Sequence, residues 1–244
     1  MSGRRLLIDA GNTRLKWAVA EDGRWLTQGF SDHADWSVLK AELTPETPCF
    51  IASVAGTALE QRLADLLDAA GVRATWLTAA AEFAGVKNAY LNPPQLGVDR
   101  WMGLIAARRR SCDPLLVVSV GTAMTVDALA ADGVFLGGVI VPGASLMRQS
   151  LLQGAARITE ASGHWQAFPR ATADAVHSGI VAALCGAVQQ QHARLAAVSS
   201  RGPKCLLTGG DAEMLLPHLT VPAEHVPALV LEGIDRVASE GVAE

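Results

Sequence analysis

The N-terminal segment carries residues that could bind a phosphate group. Asp9 ends an apolar run, a turn of Gly11, Asn12 and Thr13 follows it, and Lys16 lies seven residues after Asp9. Glycine permits close approach to the backbone, so amide N–H groups of this turn could contact phosphate oxygens. Asp9 could hold Mg²⁺ through water, Thr13 could donate to a phosphate oxygen, and Lys16 would add positive charge. Alternatively, Asp9 is a strand-ending residue in an Asx-turn and Lys16 is a solvated charge on an edge strand.

The same pattern recurs in the second half of the chain. Strand-like runs at 6–9, 15–20 and 25–30 are separated by Gly-Asn-Thr and Glu-Asp-Gly turns, and "LLVVSVGTAMTVDALAADGVFLGG" after Pro114 repeats that order. The intervals from Asp9 to Asp22 and from Ser119 to Asp132 are both 13 residues. We therefore predict a duplicated α/β protein, with halves at 1–112 and 113–244 and the glycine turn of each half pointing into a cleft between them.

Periodicity and turn signals predict the remaining elements. In the first half they indicate a helix around Leu39, a strand at 49–54, a helix around Leu63, a strand at 74–78, a long loop at 79–97 and a helix from about Asp99. In the second half they indicate helices at 144–156 and 172–196, a strand at 204–210 and a closing helix. These elements would place the first glycine turn and the loop before Asp99 in one half of the protein.

Composition and charge exclude several classes of protein. The 244 residues carry a formal net charge of −4, which argues against binding nucleic acid through its backbone charge. The longest nearly apolar run, "PLLVVSVGTAMTV", is too short to span a bilayer, and Asp9 ends the early apolar run too soon for a signal peptide. Four scattered cysteines, without metal-ligand spacing, are typical of reduced thiols in a cytoplasmic protein. We expect neither membrane nor direct nucleic-acid partners.

Five stretches, taken in order, resemble one family. They are "DAGNTRLK", "YLNPPQLGVDR", "VGTAMTVDALAADGVFLGGVIVPG", "TADAVHSGI" and "LTGGDA". Together they resemble type III pantothenate kinases, also called Bvg accessory factors, within the actin, hexokinase and Hsp70 superfamily. The resemblance implies duplicated ribonuclease H-like domains, that is, an actin-like ATPase fold. It also implies ATP-dependent phosphorylation of pantothenate to 4'-phosphopantothenate, the first step of coenzyme A biosynthesis, by a homodimer. The Ala and Leu residues of the helix at 172–196 make it a candidate interface element.

The resemblance also implies which residues form the site. The residues that would bind ATP are Asp9, Ala10, Gly11, Asn12, Thr13, Arg14, Leu15, Lys16, Gly121 and Thr122. The residues that would bind pantothenate are Tyr90, Gly97, Val98, Asp99, Arg100 and Thr172. Asp9 would be on the Mg²⁺ side of the nucleotide, and Gly209-Gly210-Asp211 would lie near its adenosine end.

Asp99 matches the family's catalytic base. By its position before an apolar helix it could equally be an N-cap, which contributes about 0.5–2 kcal/mol of stability. The two roles are compatible, since a carboxylate at a helix N-terminus keeps one oxygen free. Arg100 would bind the pantothenate carboxylate by a forked ion pair, and Tyr90 would cover the polar chain. As an ordinary helix residue, Arg100 would be an unfavourable cation in the first turn. Thr172 could also be an N-cap, and Gly97 a simple turn residue.

Ser119 departs from the family pattern. Where the family carries an aspartate that helps to bind a monovalent cation, K⁺ or NH₄⁺, this chain has a serine. A neutral hydroxyl offers one oxygen and no charge. We therefore expect the cation to bind weakly or not to be required.

Two other functions stay open. The family's second name implies a transcriptional accessory protein, which would act through a protein partner or through coenzyme A supply because the sequence has no basic recognition helix. A kinase of another small molecule in the same superfamily is the third alternative. Phosphorylation of pantothenate by the purified protein would separate the first function from the other two.

Overall fold

The computed structural model describes residues 3–155, 158 and 162–241. In it, a two-residue turn at Asp22 and Gly23 joins the second and third strands. Both turn residues have positive φ, 49° and 78°. A tight type I′ hairpin requires this conformation, and Asp-Gly favours it. The described residues divide into two compact units. The first runs to Arg110 and resumes at Ala228, and the second is Ser111–Pro227.

The first unit contains a five-stranded sheet with the order β3-β2-β1-β4-β5. Strands β1, β2 and β3 are antiparallel, whereas β4 and β5 run parallel to β1. The elements up to Arg110 are β1 (Arg5–Ala10), β2 (Arg14–Glu21), β3 (Arg24–Asp32), α1 (Ser37–Glu42), β4 (Pro48–Ser53), α2 (Thr57–Ala69), β5 (Arg73–Trp76), β6 (Glu82–Phe83), β7 (Val86–Asn88) and α3 (Val98–Arg110). The prediction of a plain loop at 79–97 was wrong, because β6 and β7 pair there. Strands of two and three residues are too short to give a periodic signal.

The second unit repeats this topology. Its strands follow the order β10-β9-β8-β11-β12, with the first three antiparallel and the last two parallel to β8. Its elements are β8 (Leu115–Val120), β9 (Ala123–Leu129), β10 (Val134–Pro142), α4 (Ala144–Gly154), α5 (Thr172–Ala197), β11 (Lys204–Thr208), α6 (Ala212–Leu215) and β12 (Ala223–His225). The predicted duplication is therefore confirmed. Ala156, at the end of the predicted helix 144–156, lies outside the described residues.

The equal 13-residue intervals conceal differences between the two hairpins. The turn between β8 and β9 is one residue shorter than the turn between β1 and β2, and β9 is one residue shorter than β2. The next turn, between β9 and β10, has four residues where the first unit has two. These differences cancel, so Asp22 and Asp132 match in sequence although their turns differ.

The C-terminal helix α7 (Leu229–Glu240) belongs to the first unit. Asp235 on α7 accepts two hydrogen bonds from the buried Arg5 guanidinium, at 2.9 and 2.6 Å, and one from the indole nitrogen of Trp25 at 3.1 Å. A Cβ atom at Gly233 would lie 2.0 Å from the carbonyl oxygen of Met102, so only glycine lets α7 approach α3 this closely. The predicted second half at 113–244 therefore differs from the observed unit, Ser111–Pro227, because α7 completes the core around β1 and α3 of the first unit.

Each unit has its own apolar core. In the first unit, one face of the sheet packs with α1 and α2 around Leu6, Trp17, Ile51 and Leu67. In the second, β8, β9 and β11 pack against α5 and α6 around Val118, Leu184 and Leu207. No helix in residues 3–155, 158 and 162–241 has the length and apolar character needed to cross a membrane.

Candidate active site

The turn between β1 and β2 presents Asp9 and Lys16 side by side. These two residues are direct partners in the antiparallel pair, and the main-chain N–H of Gly11 closes the turn by donating to the carbonyl oxygen of Arg14 at 3.1 Å. Directly opposite residues in such a pair have their side chains on the same face of the sheet. Ala10 and Leu15 are buried and anchor the turn from below, while residues 12–14 are exposed. The predicted phosphate-binding turn is therefore accessible, with a carboxylate and an ammonium group at its base.

Asp9 lies in an electrostatic environment that disfavours its charged form. Burial raises its pKa to about 7, the positive charge of Lys16 opposes this shift, and the negative charge of Asp99 adds to it. Asp9 and Asp99 are thus close enough to interact, although one is on β1 and the other on α3. A bound cation would favour the charged form of Asp9, since metal ions bind deprotonated carboxylates.

Asp99 is the second residue of α3 and is only partly exposed. Its Oδ1 accepts the main-chain N–H of Arg100 at 2.8 Å. Burial raises the pKa of Asp99, and the backbone N–H and positive charge of Arg100 oppose the shift. A Cβ atom at Gly97 would lie 2.7 Å from Oδ1 of Asp99, so the carboxylate occupies space that only a glycine leaves open. Gly97 is therefore more than a simple turn residue.

The N-cap interpretation of Asp99 was wrong. Helix α3 begins at Val98, and the carbonyl oxygen of Gly97 accepts the main-chain N–H of Trp101 at 3.0 Å. Asp99 thus lies inside the first turn, where a carboxylate interacts favourably with the helix dipole. The N-cap alternative for Thr172 was also wrong, because Thr172 is the first residue of α5 and Ala171 is at the N-cap.

Arg100 is held by Tyr90. Its Nη1 donates to the Tyr90 hydroxyl oxygen at 2.9 Å, and its Cζ lies 5.6 Å from the centre of the Tyr90 ring. Arg100 is only 7% exposed, so this cation is not a solvated surface charge. The structure therefore brings together two of the residues predicted to contact pantothenate.

Asn88 organises the loop that carries Tyr90, and the sequence did not reveal this role. Its side-chain amide donates to the carbonyl oxygens of Ala80 and Pro93 at 3.2 and 3.1 Å, and its Oδ1 accepts the main-chain N–H of Tyr90 at 3.1 Å. A buried side-chain amide that satisfies three backbone groups fixes a loop that lacks long regular elements. The only signal was an asparagine two residues before Tyr90.

In the second unit, the turn at Gly121 and Thr122 corresponds to the turn after Asp9. The main-chain N–H of Gly121 donates to the carbonyl oxygen of Ala123 at 3.1 Å. The main-chain N–H of Gly143 donates to the carbonyl oxygen of Thr122 at 2.9 Å. A Cβ atom at Gly143 would lie 1.9 Å from the carbonyl oxygen of Gly121. The loop after β10 therefore supports this turn through Gly143, a residue that was not among those predicted to form the site.

Two further predicted positions lie in the second unit. The turn Gly209-Gly210-Asp211 is bound to the end of β8, since the N–H of Asp211 donates to the carbonyl oxygen of Val120 at 3.1 Å. Thr172 lines a groove between α4 and α5 of about 490 Å³, together with apolar residues such as Met147 and Val176.

Ser119 lies opposite Thr125 in the pair of β8 and β9. The hydroxyl of Thr125 is buried and has no hydrogen-bond partner among the described residues. Two neutral hydroxyls on one sheet face provide oxygen ligands but no negative charge. Across residues 3–155, 158 and 162–241, no group of three or more histidine, cysteine, aspartate or glutamate side chains could hold a metal ion.

Residues 5–194 match the family model described as type III pantothenate kinase. The type III pantothenate kinase of Thiobacillus denitrificans is 64% identical over 241 residues, which cover 99% of each chain.

Solved structures with low sequence identity show the fold alone. A conserved Campylobacter jejuni protein assigned to the Baf family of transcriptional activators has a TM-score of 0.64 at 19% identity, over 96% of this chain and 98% of that one. MreB 5 of Spiroplasma citri, solved with bound AMPPNP, has a TM-score of 0.51 at 8% identity, over 98% and 97%. The predicted actin-like ATPase fold is therefore confirmed. By the family model and the close relative, this chain belongs to the type III pantothenate kinase family.

Proposed function

We propose that this chain transfers the γ-phosphoryl group of ATP to the hydroxyl group of pantothenate, giving 4'-phosphopantothenate, the first step of coenzyme A biosynthesis. The observation that carries this proposal is the arrangement in the first unit. It combines an accessible turn with Asp9 and Lys16 paired at its base and, at the start of α3, the Asp99 carboxylate next to an Arg100 that Tyr90 holds. Phosphoryl transfer needs little covalent chemistry from the protein, so positioning and charge stabilisation account for most of the catalysis.

The turn after Asp9 would bind the nucleotide phosphates. Main-chain N–H groups at Asn12 and Thr13 and the ammonium group of Lys16 would face phosphate oxygens. Asp9 fits a Mg²⁺ ion held partly through water, since it is a carboxylate at the base of an accessible turn and a cation would stabilise its charged form. The bound Mg²⁺ would neutralise charge on the phosphates, as it does in other phosphoryl transfers.

Asp99 would accept the proton of the pantothenate hydroxyl. An aspartate with an ordinary pKa near 3.9 is a weak base, and burial raises the pKa of Asp99. In a loose phosphoryl transfer the proton can leave late, so a base of this strength is sufficient. Gly97 and the Arg100 N–H fix the position of the carboxylate before substrate binds.

Arg100 and Tyr90 would recognise the rest of pantothenate. A guanidinium group can bind a carboxylate through two parallel hydrogen bonds, which gives both affinity and orientation. The Tyr90 hydroxyl oxygen accepts a hydrogen bond from Nη1 of Arg100, so the orientation of the guanidinium group is fixed. Val98 and Thr172 stay predicted substrate contacts, and Gly121 and Thr122 stay predicted ATP contacts.

Ser119 and Thr125 would supply two neutral oxygen ligands without a negative charge, so weak binding of a monovalent cation, or no requirement for one, stays the prediction. The protein is proposed to act as a homodimer in which α5 is an interface element. Size-exclusion chromatography with light scattering would test the dimer. Activity measured in sodium, potassium and ammonium salts would test the cation.

The proposed reaction is tested with purified protein, ATP, Mg²⁺ and a panel of small alcohols that includes pantothenate and sugars. We expect pantothenate to be the preferred acceptor and Asp99→Asn to lose activity while still binding a non-hydrolysable ATP analogue. Preference for another alcohol would overturn the substrate assignment. Full activity in a folded Asp99→Asn protein would remove Asp99 from the role of base.

A further inference from the structure

His33 forms a hydrogen bond to the backbone of the phosphate-type turn. It follows β3, and its Nε2 atom lies 3.0 Å from the carbonyl oxygen of Gly11. A carbonyl oxygen can only accept a hydrogen bond, so His33 donates from Nε2. His33, which none of the motifs contains, thus supports the turn from outside β1 and β2.

The backbone of His33 is held in place by α2. Arg62 on α2 donates from Nη1 to the carbonyl oxygen of His33. The guanidinium group of Arg62 also stacks over the Trp36 ring, with Cζ 4.1 Å from its centre, and Trp36 is buried. The imidazole therefore reaches Gly11 from a position that the packing of α2 fixes.

The bond to Gly11 sets the direction of the next amide. In a trans peptide the C=O of one residue and the N–H of the next point in opposite directions, and the described chain has no cis peptide bonds. Holding the Gly11 carbonyl towards His33 therefore points the Asn12 N–H away from it, at an exposed position of the turn. Without this bond the peptide after Gly11 could rotate, because glycine allows a wide range of backbone conformations.

The environment of the other ring nitrogen, Nδ1, indicates that histidine is not the most stabilising residue for the fold at position 33. Nδ1 is buried and has no hydrogen-bond partner among the described residues. Leaving a buried acceptor unpaired costs about 1–3 kcal/mol. An apolar side chain of similar size would avoid that cost, whereas only a donor can hold Gly11.

We propose that His33 is a positioning residue for nucleotide binding, which fixes the Asn12 N–H in the orientation that meets a phosphate oxygen. This rests on the proposed function of the turn as the ATP-phosphate site. His33 itself contacts neither nucleotide nor pantothenate in this proposal. It acts through the Gly11 peptide.

The test compares two replacements of similar shape. His33→Gln keeps a side-chain N–H donor, and His33→Met does not. We expect His33→Met to bind Mg²⁺-AMPPNP about tenfold more weakly in calorimetry, the change expected from losing one hydrogen bond to the phosphate. His33→Gln should recover most of that affinity. In steady-state kinetics His33→Met should raise KM for ATP and leave KM for pantothenate unchanged.

His192 provides a matched control. Its Nε2 lies 3.0 Å from the carbonyl oxygen of Pro203, a hydrogen bond of the same type and length in the second unit. His192→Met should leave nucleotide affinity at the wild-type value.

Equal nucleotide affinity in His33→Met and the wild type would overturn the proposal, as would equal weakening by Met and Gln. If His33→Met and His33→Leu both fail to fold while His33→Gln folds, the role is structural and the proposal is also wrong. Because AMPPNP binding is measured without pantothenate, a wild-type protein that binds nucleotide but does not phosphorylate pantothenate would overturn only the proposed function.

Discussion

Asp9 on β1 and Asp99 on α3 lie close enough for their charges to interact: burial is the main cause that raises the pKa of Asp9, and the negative charge of Asp99 adds to that shift. The β1–β2 pair also places Lys16 opposite Asp9, and the positive charge of Lys16 acts in the other direction. The protonation of Asp9 therefore depends on both neighbours and on any cation that binds there.

Replacing Asp99 by asparagine should lower the pKa of Asp9 below its value of about 7. Asparagine has nearly the same shape but no charge, so the repulsion that favours the protonated form of Asp9 disappears. Carboxyl ¹³C NMR of the nucleotide-free protein measures this directly. Asp113, whose pKa is held at about 2 mainly by Lys204, serves as an internal control and should not shift. An unchanged Asp9 titration would contradict the interaction.

The free energy of unfolding of the nucleotide-free protein should fall as pH rises from about 4 to about 7. Over this range folded Asp9 keeps a proton that the unfolded chain has lost, since its pKa rises from 3.8 to about 7 on folding. One such group contributes a slope of at most about 1.4 kcal/mol per pH unit. Denaturant unfolding at several pH values measures how the free energy of unfolding changes with pH.

Asp9→Asn is the control for this slope, because it removes the titrating group and keeps the shape. The wild type should lose stability relative to Asp9→Asn between pH 4 and 7, and no further above that range. Mg²⁺ with an ATP analogue should reduce the loss, since a cation favours charged Asp9. Parallel pH profiles for the two proteins would show that Asp9 is not desolvated.

Gly97→Ala should reduce kcat and leave nucleotide affinity nearly unchanged. The added Cβ would lie 2.7 Å from Oδ1 of Asp99 and must displace the carboxylate from its position at the start of α3. Misplacing a general base removes a contribution of about 10²–10⁴-fold to the rate. Gly56→Ala is a matched control, since Gly56 is the N-cap of α2 and a Cβ there meets nothing within 4 Å. Similar kcat losses in both variants would point to general destabilisation instead.

Tyr90→Phe should raise KM for pantothenate while KM for ATP stays the same. It removes only the hydroxyl that accepts from Nη1 of Arg100, so the guanidinium group loses its set direction. Losing one hydrogen bond of about 1 kcal/mol changes KM about fivefold. An analogue of pantothenate with an alcohol in place of the carboxylate should show no such change. An equal rise for the analogue would mean that Arg100 does not read the carboxylate.

Features with strong local signals were predictable from the sequence. The Asp-Gly turn and the alternating strands around it predicted the first hairpins, and the repeat of that pattern predicted the duplication that the two sheets confirm. The ordered motifs identified the family, which the family model and a relative at 64% identity confirm.

Features that depend on tertiary packing could not be predicted. The amphipathic pattern of α7 indicates a buried face but not which core buries it. Tertiary contacts such as the close approach of Gly233 to Met102 and the pairing of Asp235 with Arg5 assign it to the first unit. Asn88 binds backbone groups of its own loop, and His33 binds the backbone of the turn between β1 and β2. No periodic pattern in the sequence marks such residues.

Placing α7 in the first unit has a consequence for the order of folding during synthesis. The ribosome makes β1 and α3 first, then all of Ser111–Pro227, and only then the helix that supplies Asp235. The contiguous second unit can close its core while the nascent first unit still lacks the carboxylate that neutralises Arg5. The unit that holds Asp9 and Asp99 is therefore completed only after the whole of the second unit has been synthesised.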